Sequence, residues 1–284
     1  MNDSLFVFLQ KHLLPKRALT VALGRLSGIR GGTLTHAAIR RFIARYGVDM
    51  SEAADPAVER YATFNEFFTR ALRPDARPIP SPAEAPWICP IDGAISQCGA
   101  ITRDRIIQAK GHDYTTRALV GGDTALAEQF QDGAFATLYL SPRDYHRIHM
   151  PYRGRLARMI HVPGDLYSVN PATVRGIPGL FARNERVVCA FDSERGPFVL
   201  ALVGATIVGS MATVWHGLVN PPRPGVLREW RYQGNTVVLE RGAEMGRFLL
   251  GSTVVMLFPR NTLRFNPDWK PGKAVRLGEA TAFI

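Results

Sequence analysis

Cysteine is scarce in this chain of 284 residues, with only Cys89, Cys98 and Cys189 present. An odd number at no metal-like spacing excludes a disulfide framework or a zinc ribbon, and fits a reducing cytoplasmic setting. Acidic residues are also short, 24 Asp and Glu against 35 Lys and Arg, leaving a net charge of +11. Such an excess favours nucleic acid or an acidic membrane surface as partner, although a solvated basic surface has the same composition. No cleavable signal is expected, because Met1-Asn2-Asp3-Ser4 lacks a positive start and no small-residue cleavage site follows the apolar stretch. Long hydrophobic runs are missing too. The longest uncharged run, residues 198–215, is interrupted by Gly204, Gly209 and Ser210 and is rich in Val, Ile and Thr. It predicts two buried strands meeting near Gly209 rather than a spanning helix. There is no internal repeat and no low-complexity tract.

What remains is ordinary globular material, 46% hydrophobic and 21% charged, which excludes disorder of the whole chain. Residues 1–73 read as helical. Leu5, Phe6, Phe8, Leu9, Leu13 and Leu14 form an apolar stripe closed by Pro15, accompanied by Lys11, Lys16, Arg17, Arg25 and Arg30. A second stretch, residues 35–46, sets Arg40, Arg41 and Arg45 beside Ile39, Phe42 and Ile43. Thr63 with Glu66 makes a capping box before Phe67, Phe68 and Leu72. Apolar faces with basic flanks suit interfacial helices, though they equally suit helices packed on a core. Residues 74–86 hold five prolines and read as a linker. Beyond it, short β-type runs follow at 134–140, 187–191, 236–240 and 253–258, with one helix expected at 123–131. The expected fold is therefore α+β, an N-terminal helical membrane-contacting segment on a β-rich catalytic domain over residues 87–284, sandwich or barrel-like.

Three segments could carry chemistry. Asp92, in Pro90-Ile91-Asp92-Gly93, has the look of turn chemistry when taken alone. The segment 140–151 holds His146 and His149, two of the seven histidines, beside Asp144. In an extended stretch these two rings point to opposite faces, and no third ligand is evident, so a metal is not expected. One imidazole as general base and the other as a separate acid fits at least as well, and either could be structural. The third segment, 244–253, ends in Gly251-Ser252-Thr253, which is not the nucleophile elbow of hydrolases.

Together these segments resemble the phosphatidylserine decarboxylase family, whose Leu-Gly-Ser-Thr signature matches Leu250 to Thr253. The resemblance extends, in family order, through Thr63-Phe64-Asn65-Glu66-Phe67-Phe68, Ala109-Lys110-Gly111-His112, the 141–151 segment, Val162-Pro163-Gly164-Asp165-Leu166, the 180–186 block and the 203–210 block. It is similar to the bacterial, single-domain form.

The resemblance implies that Asp92, His149 and Ser252 form a protease-like triad for self-processing. Asp92 would orient His149, and His149 would take the Ser252 proton. The hydroxyl would then attack the Gly251 carbonyl, with Gly251 expected in a strained turn. Elimination from the resulting ester would leave a pyruvoyl group on residue 252 and two chains, 1–251 and 252–284. That covalent pyruvoyl cofactor would form a Schiff base with the amine of phosphatidylserine and accept electrons as carbon dioxide leaves. His146 is the candidate donor of the final proton. Ser168, Asn170 and His112 are candidate head-group contacts, with Arg183 or Arg186 for charge. The implied partners are phosphatidylserine, anionic membrane lipid at the cytoplasmic face of the cell membrane, and the enzyme's own short chain; a homodimer is left open. A serine hydrolase sharing the three triad residues is the alternative enzyme. A nucleic-acid-binding module fits poorly, because the arginines are scattered. A membrane scaffold without catalysis would be expected to have lost a triad position.

Overall fold

A computed structural model of the chain describes residues 3–283 apart from Lys110, residues 207–209, Pro222, Pro224, Asn235 and Ser252. The N-terminal part is helical, as expected: α1 (Asp3–His12), α2 (Lys16–Ser27), α3 (Thr33–Tyr46) and α4 (Phe64–Phe68). Pro15 separates the first two helices. The capping box at α4 is present, with Thr63 Oγ1 accepting from the Glu66 N–H and Glu66 Oε2 accepting from the Ala62 N–H.

The apolar face of α3 turns inward rather than outward. Ile39 is fully buried, and the Phe42 ring meets those of Phe64, Phe67 and Phe68 at centroid distances of 5.2 to 5.9 Å. Of the candidates for membrane contact, Ile39, Phe67 and Phe68 are buried between α3, α4 and the core, while Phe42 is half-buried. The apolar side chains left outside on this part include Phe8, Leu13, Leu26, Ile29 and Leu34. The side chains of Leu5 and Phe6 lie outside the described residues. No described helix is long and apolar enough to cross a membrane.

The β-rich part begins with β1 (Trp87–Ile88), β2 (Gly93–Ala100), β3 (Arg105–Ala109) and β4 (His112–Thr115). Helices α5 (Thr116–Leu119) and α6 (Thr124–Glu128) follow, then β5 (Ala134–Tyr139), β6 (Arg147–His149) and β7 (Gly154–Val162). After α7 (Pro171–Gly176) and α8 (Leu180–Arg183) come β8 (Arg186–Asp192), β9 (Phe198–Val203), β10 (Met211–Thr213), β11 (Gly217–Asn220), β12 (Arg228–Arg231) and β13 (Val238–Leu239). The last are β14 (Glu244–Phe248), β15 (Thr253–Phe258), β16 (Arg264–Phe265), β17 (Ala274–Val275) and β18 (Ala280–Phe283). Where one helix was expected, at 123–131, α6 appears in shortened form, capped by Asp123; α5, α7 and α8 are additional. The 198–215 run does give two strands, β9 and β10, but they belong to different sheets, and Gly209 lies outside the described residues.

The largest sheet runs β12-β7-β8-β9-β15-β5-β2-β17, with β13 beside β7 and every pairing antiparallel. Its two ends do not pair, so it is open rather than a barrel. A second sheet runs β11-β10-β14-β6. The chain passes from β14 in the second sheet to β15 in the first within residues 249–252. Both β9 and β15 are buried along their whole length, which explains their uninterrupted apolar character. Trp87 seals one region of this core, edge-on to Phe198 and Phe258.

The 74–86 segment carries no helix or strand, yet it is firmly held. Arg241 donates to the carbonyls of Ala85 and Pro80, and Arg77 turns its guanidinium into the interior.

Candidate active site

The crossing between the two sheets is a strained and crowded piece of backbone. Leu250 has φ of 85°, a left-handed conformation that a leucine adopts only when its surroundings impose it. Two backbone bonds do so: the Leu249 N–H donates to the Ser210 carbonyl (2.9 Å) and the Phe248 N–H to the His146 carbonyl (3.1 Å). The strain expected at Gly251 thus sits one residue earlier. Gly251 is needed for a different reason, since a Cβ there would lie 2.7 Å from Nε2 of His146. Ser252 itself lies outside the described residues.

His146 is fully buried, directly before β6, and the β6–β14 pairing carries it to the crossing. Its Nδ1 is 2.8 Å from the Asp144 carbonyl. A carbonyl only accepts, so the proton is on Nδ1 and Nε2 carries a lone pair. That lone pair faces Gly251 and has no partner among the described residues. The Phe68 ring lies 4.0 Å from the imidazole ring. Burial, with help from the nearby Arg70 charge, pushes the His146 pKa down to about 3. The result is a dry, neutral imidazole with an unused base nitrogen beside the residue before Ser252.

His149 is arranged differently. Its Nδ1–H donates to the Gly242 carbonyl (2.8 Å), and Nε2 accepts from the Tyr145 hydroxyl (3.0 Å). Burial lowers its pKa, opposed by the bond to Gly242. The expected hydrogen bond from Asp92 to His149 is therefore absent. Gly242, at φ of 82°, and Tyr145 orient the ring instead, and Asp92 acts on it only through space. The Asp92 carboxylate accepts from Arg77 Nε (2.9 and 3.1 Å) and from the Leu277 N–H (2.9 Å). The same guanidinium reaches Glu52 (2.7 Å), so the 74–86 segment clips the helical part to Asp92.

Arg77→Met strands the buried Asp92 carboxylate, while half-buried Glu52 keeps Arg276 at 3.1 Å. Removing one partner of a buried ion pair costs about 3–5 kcal/mol, which urea unfolding should register. A loss below about 1 kcal/mol would place the pair with ordinary surface bridges.

An apolar cleft of about 210 Å³ opens at Gly251, with Phe68, Tyr139, Ser168, Asn170 and Leu250 among its walls. Ser168 and Asn170 are thus brought to the crossing, Asn170 also capping α7 through Thr173 N–H. His112 starts β4 on the β3–β4 hairpin and does not line this cleft. Arg186 is 2% exposed and spends its guanidinium on the carbonyls of Leu119, Asn184 and Ala118, so it supplies no charge to a ligand. Arg183 stays half exposed against Asp165 and the Tyr167 hydroxyl. The three-His/Cys/Asp/Glu grouping a metal would need is absent among the described residues. Tyr145, Arg77, Gly242 and Phe68 were not among the site residues expected from sequence. Tyr145 stood inside the histidine segment, while the others join the site only through folding.

A family model described as phosphatidylserine decarboxylase matches residues 64–283, and one described as PSD matches residues 5–47. The chain is 70% identical over 279 residues to a protein from Azoarcus sp. named phosphatidylserine decarboxylase proenzyme, covering 98% of this chain and 96% of that one. It is 69% identical over 283 residues to a protein of the same name from Methylibium petroleiphilum, covering 100% and 99%.

Proposed function

Because the chain belongs to the phosphatidylserine decarboxylase family, we propose that it divides itself between Gly251 and Ser252 and then decarboxylates phosphatidylserine to phosphatidylethanolamine, using a pyruvoyl group made from Ser252. The observation that carries this reading is the buried Nε2 of His146, aimed at Gly251 and without a partner among the described residues. A base nitrogen left without a partner in a dry site is destabilising unless a reacting group uses it.

In the first stage the Ser252 hydroxyl attacks the Gly251 carbonyl and the peptide becomes an ester. Loss of the Ser252 α-proton then breaks the ester C–O bond, freeing a carboxylate on Gly251. The dehydroalanine left on residue 252 takes up water and releases ammonia to become pyruvoyl. His149 takes the hydroxyl proton, with the Ser252 hydroxyl displacing that of Tyr145 from Nε2. Asp92 favours the resulting cation through space.

The pyruvoyl group supplies a ketone that condenses with the substrate amine and an adjoining carbonyl that withdraws the electrons released with carbon dioxide. The residues present suit it, since a base nitrogen without a partner among the described residues lies against Gly251, the residue before it. His146 enters neutral, accepts a hydrogen bond from the reacting amine, and relays a proton to the former α-carbon. Phe68 and the apolar cleft exclude water from that exchange. Ser168 and Asn170, on the cleft wall, meet the head group, and the exposed Phe8, Leu13 and Leu26 bring the basic helical part to the cytoplasmic membrane face.

Intact mass under denaturing conditions tests the maturation. Chains of residues 1–251 and 252–284 are expected, the short one lighter than a serine-initiated peptide by the mass of a conversion from serine to pyruvoyl. A single chain of full mass, silent on phosphatidylserine, would overturn the reading.

A further inference from the structure

We propose that Gln10 is a positioning residue, the latch by which α1 sets the walls of the cleft at Gly251; the lipid nature of the ligand rests on the function proposed above. Gln10 is 3% exposed, although its helix lies on the surface. Its Oε1 accepts from the Ser168 N–H at 3.2 Å and lies 3.1 Å from Oγ1 of Thr206. The Thr206 hydroxyl has one proton to give, shared between Gln10 and the Leu166 carbonyl at 2.5 Å. Ser168 and Thr206 both line the cleft, yet they come from separate loops, one before α7 and one after β9. One amide oxygen therefore joins two walls.

The rest of α1 is keyed to the same place. Val7 packs so closely on α7 that a Cβ at Gly176 would meet it at 2.7 Å. Lys16, just past the helix, donates to the Gln10 carbonyl (2.7 Å) and sits 4.5 Å above the Tyr167 ring. The outer side is different in kind, with Phe8 51% and Leu13 64% exposed.

A ten-residue helix is not stable by itself in water, so its seat must come from these tertiary contacts. The Ser168 N–H, for its part, needs an acceptor once half-buried. Helix and loops thus hold one another, and whatever lipid surface engages Phe8 and Leu13 acts on the same rigid piece that shapes the cleft.

The test is Gln10→Met, which keeps length and apolar packing and removes the acceptor. The full chain should still divide completely and sediment with anionic vesicles as before. Its KM for a short-chain, monomerically dispersed phosphatidylserine should rise about tenfold, the equivalent of about 1.4 kcal/mol for one unsatisfied donor, with kcat little changed. Amide exchange over residues 166–170 should quicken in parallel. If Gln10→Met fails to fold, Gln10→Asn, which withdraws the amide by one methylene, carries the same comparison. Unchanged KM and exchange would overturn the latch, as would a loss confined to vesicle-borne substrate with weakened sedimentation, which makes α1 an anchor only. Should the unaltered protein not act on phosphatidylserine at all, the functional reading fails, and amide exchange alone still decides the latch.

Discussion

A chain carrying Ser252→Ala is expected to stay whole and to turn over no phosphatidylserine. Alanine has no oxygen to attack the Gly251 carbonyl, so no ester forms and the elimination that follows has no leaving group. The loss is of the cofactor itself rather than of one contact. Turnover should accordingly fall by the whole of the chemical acceleration, which for enzymes is at least about 10⁶-fold. Denaturing electrophoresis and intact mass read the first part, and product formation reads the second. A divided or active Ser252→Ala protein would sink the maturation scheme, because the cut would then need another nucleophile.

His146→Gln should separate the two stages. Division after Gly251 should proceed, since His149 and Asp92 remain. Turnover should fall about 10²–10⁴-fold, the usual contribution of a positioned acid–base group. Glutamine fills much of the space beside Phe68 and Gly251 but cannot carry a proton. A variant that still decarboxylates well would move the proton transfer elsewhere, and one that fails to divide would make His146 the base of the first stage.

The same substitution has a pH signature. In the unfolded chain a histidine takes up its proton near about pH 6.5. In the folded protein His146 takes it up only at about 3. Between those limits the unfolded state holds more protons, so His146 stabilises the fold above about pH 6.5, and that stability is lost as pH falls through the window, by at most about 1.4 kcal/mol per unit. Urea unfolding at stepped pH should show a shallower acid slope for His146→Gln than for the unaltered chain.

Much of the frame was legible before folding because its signals are local. The capping box at Thr63 and Glu66 marks α4, and the β-branched runs at 187–191 and 253–258 mark β8 and β15. Signals shorter than two helical turns were not readable. Helices α5, α7 and α8 span four to six residues each, too few for a 3.6-residue pattern to emerge. Only Val238–Leu239 of the 236–240 run pairs as a strand. At the site, the family resemblance pointed to Asp92, His146 and His149, but their partners did not follow from it. The ring of His149 is oriented by Gly242 and Tyr145, and proline-rich spacing disguised Arg77 as part of a free linker. The self-processing implied by the resemblance suggested a strained turn at Gly251. The reason it must be glycine, a neighbouring imidazole from 105 positions earlier (251 − 146), exists only in the fold.

The ladders around β15 set what a cut at its threshold can do. From Thr253 onward the strand pairs with β9 on one side and β5 on the other, while β17 and β18 of the same piece pair with β2 and β1. A break at residue 251 therefore frees two chain ends without freeing a domain. The short piece stays threaded through the middle of the sheet. Diluting the protein will not part the two pieces, since separation requires opening the core. Rebuilding is another matter: a strand joined by a short loop to its neighbour finds its slot locally, while a detached one must search for it between molecules. If the chain divides as proposed, the intact precursor is thus the form that folds with ease, and each molecule would acquire its working shape once, before its covalent continuity is given up.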